Sequence, residues 1–149
     1  MKVNLNPPAL IIERRPQAST GGARMCVVLL PQGYPPKLLQ HELHHVKQWW
    51  AVTLCAAVLL FALATVAPLV SYYVLALALS VGVYAALYRF SAEFRHRAEA
   101  AAYAVTYTGE PNELTEYAET LASSLYSTGR TVKECRGAVA SRIDTGRLF

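Results

Sequence analysis

The sequence predicts a mainly α-helical membrane protein with one short β-strand near its N-terminus. Residues 51–88 form 38 consecutive positions without a charged side chain, whereas about 20 apolar residues are enough to cross a bilayer once. Charged residues make up only 16% of the chain, against about 25% in ordinary soluble domains. Residues 23–30 are mostly apolar, include two adjacent valines and end at a proline, which is typical of a strand.

The N-terminal region before that strand is predicted to be irregular. In residues 1–22, Asn-Pro-Pro and Ser-Thr-Gly-Gly are loop signals on either side of a short apolar patch at 9–12. After the strand, the Pro- and Gly-rich residues 31–36 indicate a turn. A helix is then predicted over 37–50, and it runs into the uncharged block without a stop signal.

The uncharged block is predicted to form a two-helix transmembrane hairpin. Pro68 divides it into halves of about 17 and 20 residues, and at 1.5 Å per residue each half can cross a hydrocarbon core of about 30 Å. The alternative is a buried helix pair in a soluble core, but 149 residues are too few to cover two helices that are apolar on all faces. Aromatic side chains near the ends of the halves are predicted to lie at the membrane surfaces, namely Trp49, Trp50, Tyr72, Tyr73, Tyr84 and Tyr88.

Three helical segments are predicted after the hairpin. The Ala-rich residues 89–107 should continue the second membrane helix without a break. Residues 113–127 show apolar positions at helical spacing, and a last helix is predicted over 131–143. The small residues Ala78, Ser80, Gly82 and Ala85 favour close helix packing, either within the hairpin or in a homo-oligomer.

The distribution of charge predicts the orientation and the partners. Basic residues precede the block at six positions and follow it at Arg89, Arg95 and Arg97, whereas the turn at Pro68 carries none. The positive-inside rule therefore places both termini in the cytoplasm and the chain in the cytoplasmic membrane. The net charge is +4, but no Lys/Arg run with interleaved aromatic residues is present, so we expect the lipid bilayer as a partner and no nucleic acid. The three cysteines fit no CxxC spacing and are expected to be free thiols.

One motif on the predicted helix over 37–50 indicates chemistry. His41-Glu42-Leu43-His44-His45 has the form HExxH. Residues four apart lie on one face of a helix, so His41 and His45 can hold one metal ion, and Glu42 can take a proton from a water that the ion acidifies. His44 points about 100° away from His45 around the helix and is not expected to be a ligand.

Such a metal site needs a third protein ligand, which leaves the fourth position open. A hairpin folded at residues 68–69 places residue 41 opposite about 96 and residue 45 opposite about 92. Three candidates lie there, with a helical turn of tolerance in either direction: Glu93, His96 and Glu99.

The motif and its surroundings resemble a known family. His41-Glu42-Leu43-His44-His45-Val46-Lys47-Gln48-Trp49, followed by Arg97-Ala98-Glu99-Ala100-Ala101-Ala102-Tyr103, is similar to the small zincin-like metallopeptidases encoded by bacteriophages and bacteria, and more distantly to gluzincin membrane peptidases. The resemblance implies a minimal zincin-like fold in which the strand borders the cleft, and Zn²⁺ held by His41, His45 and Glu99. Ala101 and Tyr103 depart from the family pattern, which has acidic residues there.

We therefore expect a single domain with five parts: an N-terminal segment (1–36) containing the strand, the HExxH helix (37–50), the transmembrane hairpin (51–88), a second ligand helix (89–107) and C-terminal helices (112–149). The expected function is zinc-dependent hydrolysis of a peptide or protein substrate near the cytoplasmic membrane surface, with Glu42 as general base. Tyr103 and His96 are candidates for stabilising the oxyanion. The alternatives are an inactive zincin-like membrane protein that binds a membrane partner, and a purely structural hairpin.

Overall fold

Helices dominate the computed structural model, which describes residues 1–14, 22–65, 70–110, 112–146 and 148–149. Within that part of the chain there are five helices and one small sheet, as the prediction of a mainly α-helical protein requires. The predicted turn at Pro68 lies outside the described residues.

The N-terminal region forms a four-stranded sheet, so the prediction of irregular structure is wrong for residues 1–14, whereas residues 15–21 lie outside the described part of the chain. The strands are β1 (Lys2–Leu5), β2 (Pro8–Arg14), β3 (Gly22–Arg24) and β4 (Val27–Pro31), in the order β1-β2-β4-β3. β2 and β4 are parallel, and the other pairs are antiparallel. Short strands such as these give weak sequence signals because pairing with neighbours and packing on a helix stabilise them.

The single strand predicted over 23–30 is in fact two strands joined by a tight turn. Met25 lies in the turn with a φ of 57°, and the chain reverses so that Arg24 pairs with Val27. β3 thereby becomes an edge of the sheet. The apolar run predicts one strand because its turn contains no glycine or proline.

The first helix, α1 (Pro36–Ala64), is a single helix of 29 residues. It confirms the predicted helix over 37–50 and its continuation into the uncharged block. Proline at the first helical position is compatible with helix initiation because its missing N–H would have no intrahelical partner. The N-terminal half of α1 packs on the inner face of the sheet through a core of Ala9, Ile11, Val28, Leu30 and Val46.

The second helix, α2 (Val70–Phe90), packs against α1 in the opposite direction. The Trp49 Nε1 donates to the carbonyl of Val81 at 3.1 Å, and the Phe61 and Tyr73 rings stack at 5.7 Å. Both helices are long and apolar enough to cross a membrane. Their outward faces carry exposed apolar side chains, including Leu54, Val58, Leu59, Leu63, Val74, Leu75, Leu77 and Leu79.

The two tryptophans make specific contacts within the fold. Trp49 is buried between α1 and α2. The Trp50 indole donates to the carbonyl of Pro8 at 3.0 Å and joins α1 to the sheet. These contacts depend on tertiary packing, which residue type and position alone did not indicate.

The continuous helix predicted beyond α2 is broken at Ser91. A separate helix, α3 (Ala92–Ala104), begins there, and the Ser91 hydroxyl caps it by accepting from the Phe94 N–H at 3.1 Å. Ser followed by an acidic residue in the first turn is an N-cap pattern, so the sequence contained a signal for this break. Arg95 stabilises the bend by donating to the carbonyls of Tyr88 and Ser127.

The last two helices, α4 (Glu113–Ala122) and α5 (Val132–Thr145), pack on α3. They confirm the helices predicted over 113–127 and 131–143, although α4 ends five residues earlier than predicted. Thr131 and Glu134 form a capping box at the start of α5. The shared core of these helices contains Ala100, Ala118, Leu121, Cys135 and Val139.

Candidate metal centre

Three predicted ligands from two helices meet in one buried cluster. The Nε2 atoms of His41 and His45, one turn apart on α1, lie 3.2 Å from each other. Glu99 of α3 places Oε2 3.3 Å from His41 Nε2 and Oε1 3.3 Å from His45 Nε2. All three residues are buried, and their ligand atoms are arranged so that they could bind a metal ion.

The break at Ser91 is what brings Glu99 to the histidines. The Tyr84 hydroxyl lies 3.3 Å from His45 Nδ1, so the level of His45 on α2 is near residue 84. Glu99 lies 15 residues further along, which would be about 22 Å away on a straight helix. Because α3 turns back after Ser91, Glu99 instead reaches His45 directly. The predicted register, with residue 45 opposite about 92, therefore differs from the observed one.

The donor atoms fit an ion that prefers tetrahedral coordination. Ligand atoms about 2.0–2.1 Å from a zinc ion are about 3.3–3.4 Å apart in a tetrahedron. The two histidine Nε2 atoms are close to that separation, and each has one of the two Glu99 oxygens at 3.3 Å. Within the described residues, Glu99 Oε2 is buried and accepts no hydrogen bond, which is costly for a carboxylate oxygen. A cation bound to this oxygen would satisfy it.

The carboxyl group of Glu99 is in its ionised form at neutral pH. Burial raises its pKa, but the positive charge that His45 carries when protonated, together with the adjacent His41, outweighs burial, so the pKa lies well below the ordinary value. An ionised carboxylate offers only acceptor oxygens, as a metal ligand must.

Gln48 orients His45 through a chain of hydrogen bonds. The Gln48 amide nitrogen donates to the carbonyls of Ala98 and Leu148 at 3.0 and 2.7 Å. Its oxygen therefore faces His45 Nδ1, at 2.9 Å, and this ring nitrogen must carry the proton. In the neutral ring that a metal ligand requires, the lone pair is then on Nε2, which points at His41 and Glu99. Gln48 is fully buried, so this arrangement is held by packing.

Glu42 lies beside the cluster with its carboxylate toward the sheet. It is buried, and the backbone N–H of Ala23 in β3 faces its carboxylate. Glu42, His41, His45 and Glu99 all line one cavity of about 780 Å³, which Gly22 and Ala23 of β3 also border. The predicted general base and the predicted ligands thus open onto the same space.

Tyr84 and Tyr88, which the sequence assigned to the membrane surface, contact residues of the site. The Tyr88 hydroxyl donates to Glu99 Oε1, and the Tyr84 hydroxyl donates to the Gln48 oxygen at 3.1 Å. The signal for their role was their spacing, because residues four apart in an otherwise apolar helix share a face.

Tyr103 is close to the site, as expected from its position four residues after Glu99. Its ring packs edge-on against His41 with centroids 4.7 Å apart, and its hydroxyl shares a hydrogen bond with the Tyr126 hydroxyl at 2.9 Å. Burial raises the pKa of Tyr103 to about 12, so the hydroxyl keeps its proton. Tyr126 follows α4 and had no sequence signal that linked it to the site.

The alternative third ligands do not join the cluster. Glu93 lies at the surface and pairs with Arg97 and Arg130 at 2.7 and 2.6 Å. His96 is buried against Cys135, with 4.0 Å between Nδ1 and Sγ. Burial lowers the pKa of His96 and raises the pKa of the Cys135 thiol, so both groups are neutral. His44 points away from the cluster and contacts the carbonyl of Leu148 at 3.2 Å.

The chain was also compared with known proteins. Comparisons with protein-family models, with characterised proteins and with solved structures find no match to this chain.

Proposed function

We propose that this protein is a zinc metallopeptidase embedded in the cytoplasmic membrane, which hydrolyses peptide bonds close to the membrane surface. The observation that carries this proposal is the buried triangle of His41, His45 and Glu99 on one wall of a cavity, with Glu42 beside it. A surface histidine cluster would not need a buried, ionised glutamate aimed at both rings.

The donor set favours zinc among the divalent metals. Two imidazoles and one carboxylate are the protein ligands of many catalytic zinc sites, which leave one position open. Zinc in such a site supplies Lewis acidity toward a carbonyl oxygen and makes a coordinated water acidic. His41, His45 and Glu99 would hold the ion, with Gln48 and Tyr88 orienting His45 and Glu99.

Glu42 is suited to serve as the general base. Its position next to His41 in the same helix places its carboxylate beside the ligand cluster. The facing N–H of Ala23 orients the carboxylate. Glu42 would accept a proton from the attacking water and could pass it to the leaving amine.

The edge strand β3 offers a place for an extended peptide. Gly22 and Arg24 pair with Leu29 and Val27 on either side of Ala23. In a hairpin closed by a two-residue turn, the residue between two hydrogen-bonded positions directs its N–H and C=O to the other side. The Ala23 N–H therefore faces Glu42, and the Ala23 carbonyl on the same side is the group with which a substrate strand can pair at the sheet edge.

Two further features support the membrane location. α1 and α2 are each long and apolar enough to cross a membrane. The exposed leucines and valines of α1 and α2 would otherwise face water. With basic residues at both open ends of the helix pair, the positive-inside rule places the metal cluster and both termini on the cytoplasmic side.

The first test is zinc stoichiometry by elemental analysis of the detergent-purified protein. We expect about one zinc per chain in the wild type, loss of zinc in His45→Ala and Glu99→Ala, and retention in the matched control His96→Ala. If the wild type binds no zinc after reconstitution, or if Glu99→Ala retains it, the proposed site is wrong.

The second test separates catalysis from metal binding. Glu42→Gln should keep its zinc and lose peptidase activity by a factor of about 10²–10⁴, the usual contribution of a general base. Activity can be followed with a quenched fluorescent peptide library in detergent micelles and in proteoliposomes. Zinc binding without hydrolysis of any peptide would favour the inactive binding protein that the alanine at position 101 suggests, since Ala101 is buried and carries no acid.

A further inference from the structure

The outer face of the N-terminal sheet is apolar and is not covered by any described part of the chain. Side chains alternate between the faces of a strand. The inner face, toward α1, carries the buried Ala9 and Ile11. Val3 and Leu5, on the other face, pair with Leu10 and Pro8. Val3 is 69% exposed and Leu5 is 83% exposed.

The two ends of the sheet differ in polarity. At one end, the turn after Leu5 lies beside the turn that contains Met25, which is 46% exposed; the Leu10 N–H donates to the carbonyl of Cys26 there, at 2.8 Å. At the other end, Lys2 and Glu13 form an exposed ion pair at 3.0 Å. The sheet is therefore apolar at one end and charged at the other.

The apolar end lies level with the start of the uncharged block of α1. The Trp50 indole donates to the carbonyl of Pro8 at that end, and Asn6 and Pro7 line a small cavity with Lys47, the last charged residue of α1. The charged end lies near the start of α1, because β4 ends at Pro31 and α1 begins at Pro36. The strands β2 and β4 thus run away from the uncharged block.

We propose that the apolar end of the sheet, formed by Val3, Leu5, Pro8 and Met25, inserts into the headgroup–acyl boundary of the membrane. This inference rests on the proposed function in that the hairpin must place Trp50 at the membrane surface. The exposed Arg24 lies beside Met25 and carries the charge that attracts anionic phosphate headgroups. Lipid contact also shields the free edge of β1, whose exposed apolar side chains would otherwise favour association with other chains.

The insertion can be tested with a polarity-sensitive fluorophore attached to single cysteines in the full chain. The chain is reconstituted in vesicles of phosphatidylcholine with phosphatidylglycerol. Cys26 and Cys135 are replaced in every variant, and Cys55 is replaced except where it is the labelled site. Each variant must elute as a single species in detergent. The labelled sites are Leu5→Cys, the matched control Glu13→Cys at the charged end of the same sheet, and the native Cys55, which is exposed on α1. Quenching is measured with lipids that carry a nitroxide near the headgroup or deep in the acyl chain.

We expect the label at position 5 to show blue-shifted emission and quenching by the shallow nitroxide, whereas the label at position 13 shows neither. The label at Cys55 should be quenched by the deep nitroxide. If position 5 behaves like position 13 while Cys55 is quenched, the hairpin is in the membrane and the sheet insertion is wrong. Blue-shifted emission at position 5 without quenching means that a second copy covers the face, which also overturns the inference. Quenching at position 5 but not at Cys55 supports a surface-bound sheet and refutes the hairpin.

Discussion

Replacing Gln48 by leucine is expected to weaken zinc binding by about 10- to 100-fold, the usual effect of removing a group that orients a histidine ligand. The reason is the proton on His45 Nδ1, which donates to the Gln48 oxygen at 2.9 Å and leaves Nε2 free for the metal. Leucine has a similar volume but accepts no hydrogen bond. The predicted change corresponds to about 1.4–2.7 kcal/mol of binding free energy.

The same substitution should also lower the free energy of unfolding. It removes the two hydrogen bonds that the Gln48 amide donates to the carbonyls of Ala98 and Leu148, and a hydrogen bond typically contributes about 0.5–1.5 kcal/mol. Zinc affinity must therefore be measured at a temperature at which the variant is folded, by competition with a chelator of known affinity.

A substitution of Thr53 provides a matched control for this prediction. Thr53 is another buried polar residue of α1, but its hydroxyl makes no hydrogen bond within the described residues and is remote in sequence from the cluster. Thr53→Val should leave zinc affinity unchanged. If folded Gln48→Leu binds zinc as tightly as the wild type, the orientation of His45 does not depend on Gln48 and the inferred tautomer is wrong.

Three other predictions concern separate links between structure and function. Ser91→Ala removes the cap of α3 and should cost about 0.5–2 kcal/mol of stability in thermal unfolding, whereas Ser91→Asp should restore it; equal melting of all three proteins would contradict the capping role. Tyr88→Phe removes the donor to Glu99 and should weaken zinc binding while preserving the one-to-one stoichiometry, and an unchanged affinity would contradict this. A hydrogen bond from Lys37 lowers the pKa of Glu113 to about 2, so its stabilising contribution is present above the unfolded pKa of about 4.5 and is lost as the pH falls toward 2. Acid should therefore destabilise the wild type more than Glu113→Gln, and parallel stability curves from pH 5 to about pH 2 would refute the assignment.

The amino-acid sequence correctly indicated features that depend on local geometry. The spacing of His41 and His45 puts both rings on one side of a helix whatever surrounds it. The uncharged run from 51 to 88 predicts two long apolar helices for the same reason, since helix length follows directly from residue number. The strands were missed or merged because three to seven residues are too few for a periodic pattern to stand out, and because the turn at Met25 contains neither glycine nor proline.

The residues alone did not decide which of Glu93, His96 and Glu99 is the third ligand. An unbroken helix would place residues 92–96 opposite the motif, whereas the resemblance to zincin-like peptidases implies Glu99 as the third ligand. The structure reaches Glu99 by ending α2 at Phe90 and starting α3 after Ser91. The other two candidates point to Arg130 and Cys135.

The sequence by itself therefore determined the motif helix, the apolar helix pair and the candidate ligands, because bond geometry converts residue spacing into direction along a helix. Only the tertiary structure decided which carboxylate meets the histidines, how Gln48 sets the proton on His45, and which edge of the sheet borders the cavity. Those features depend on helix register, on one bend at Ser91 and on the order of four strands. Helix register and strand order are set by packing between residues far apart in the chain, whose energies no local pattern records, and the local N-cap signal at Ser91 does not by itself fix the direction of the bend.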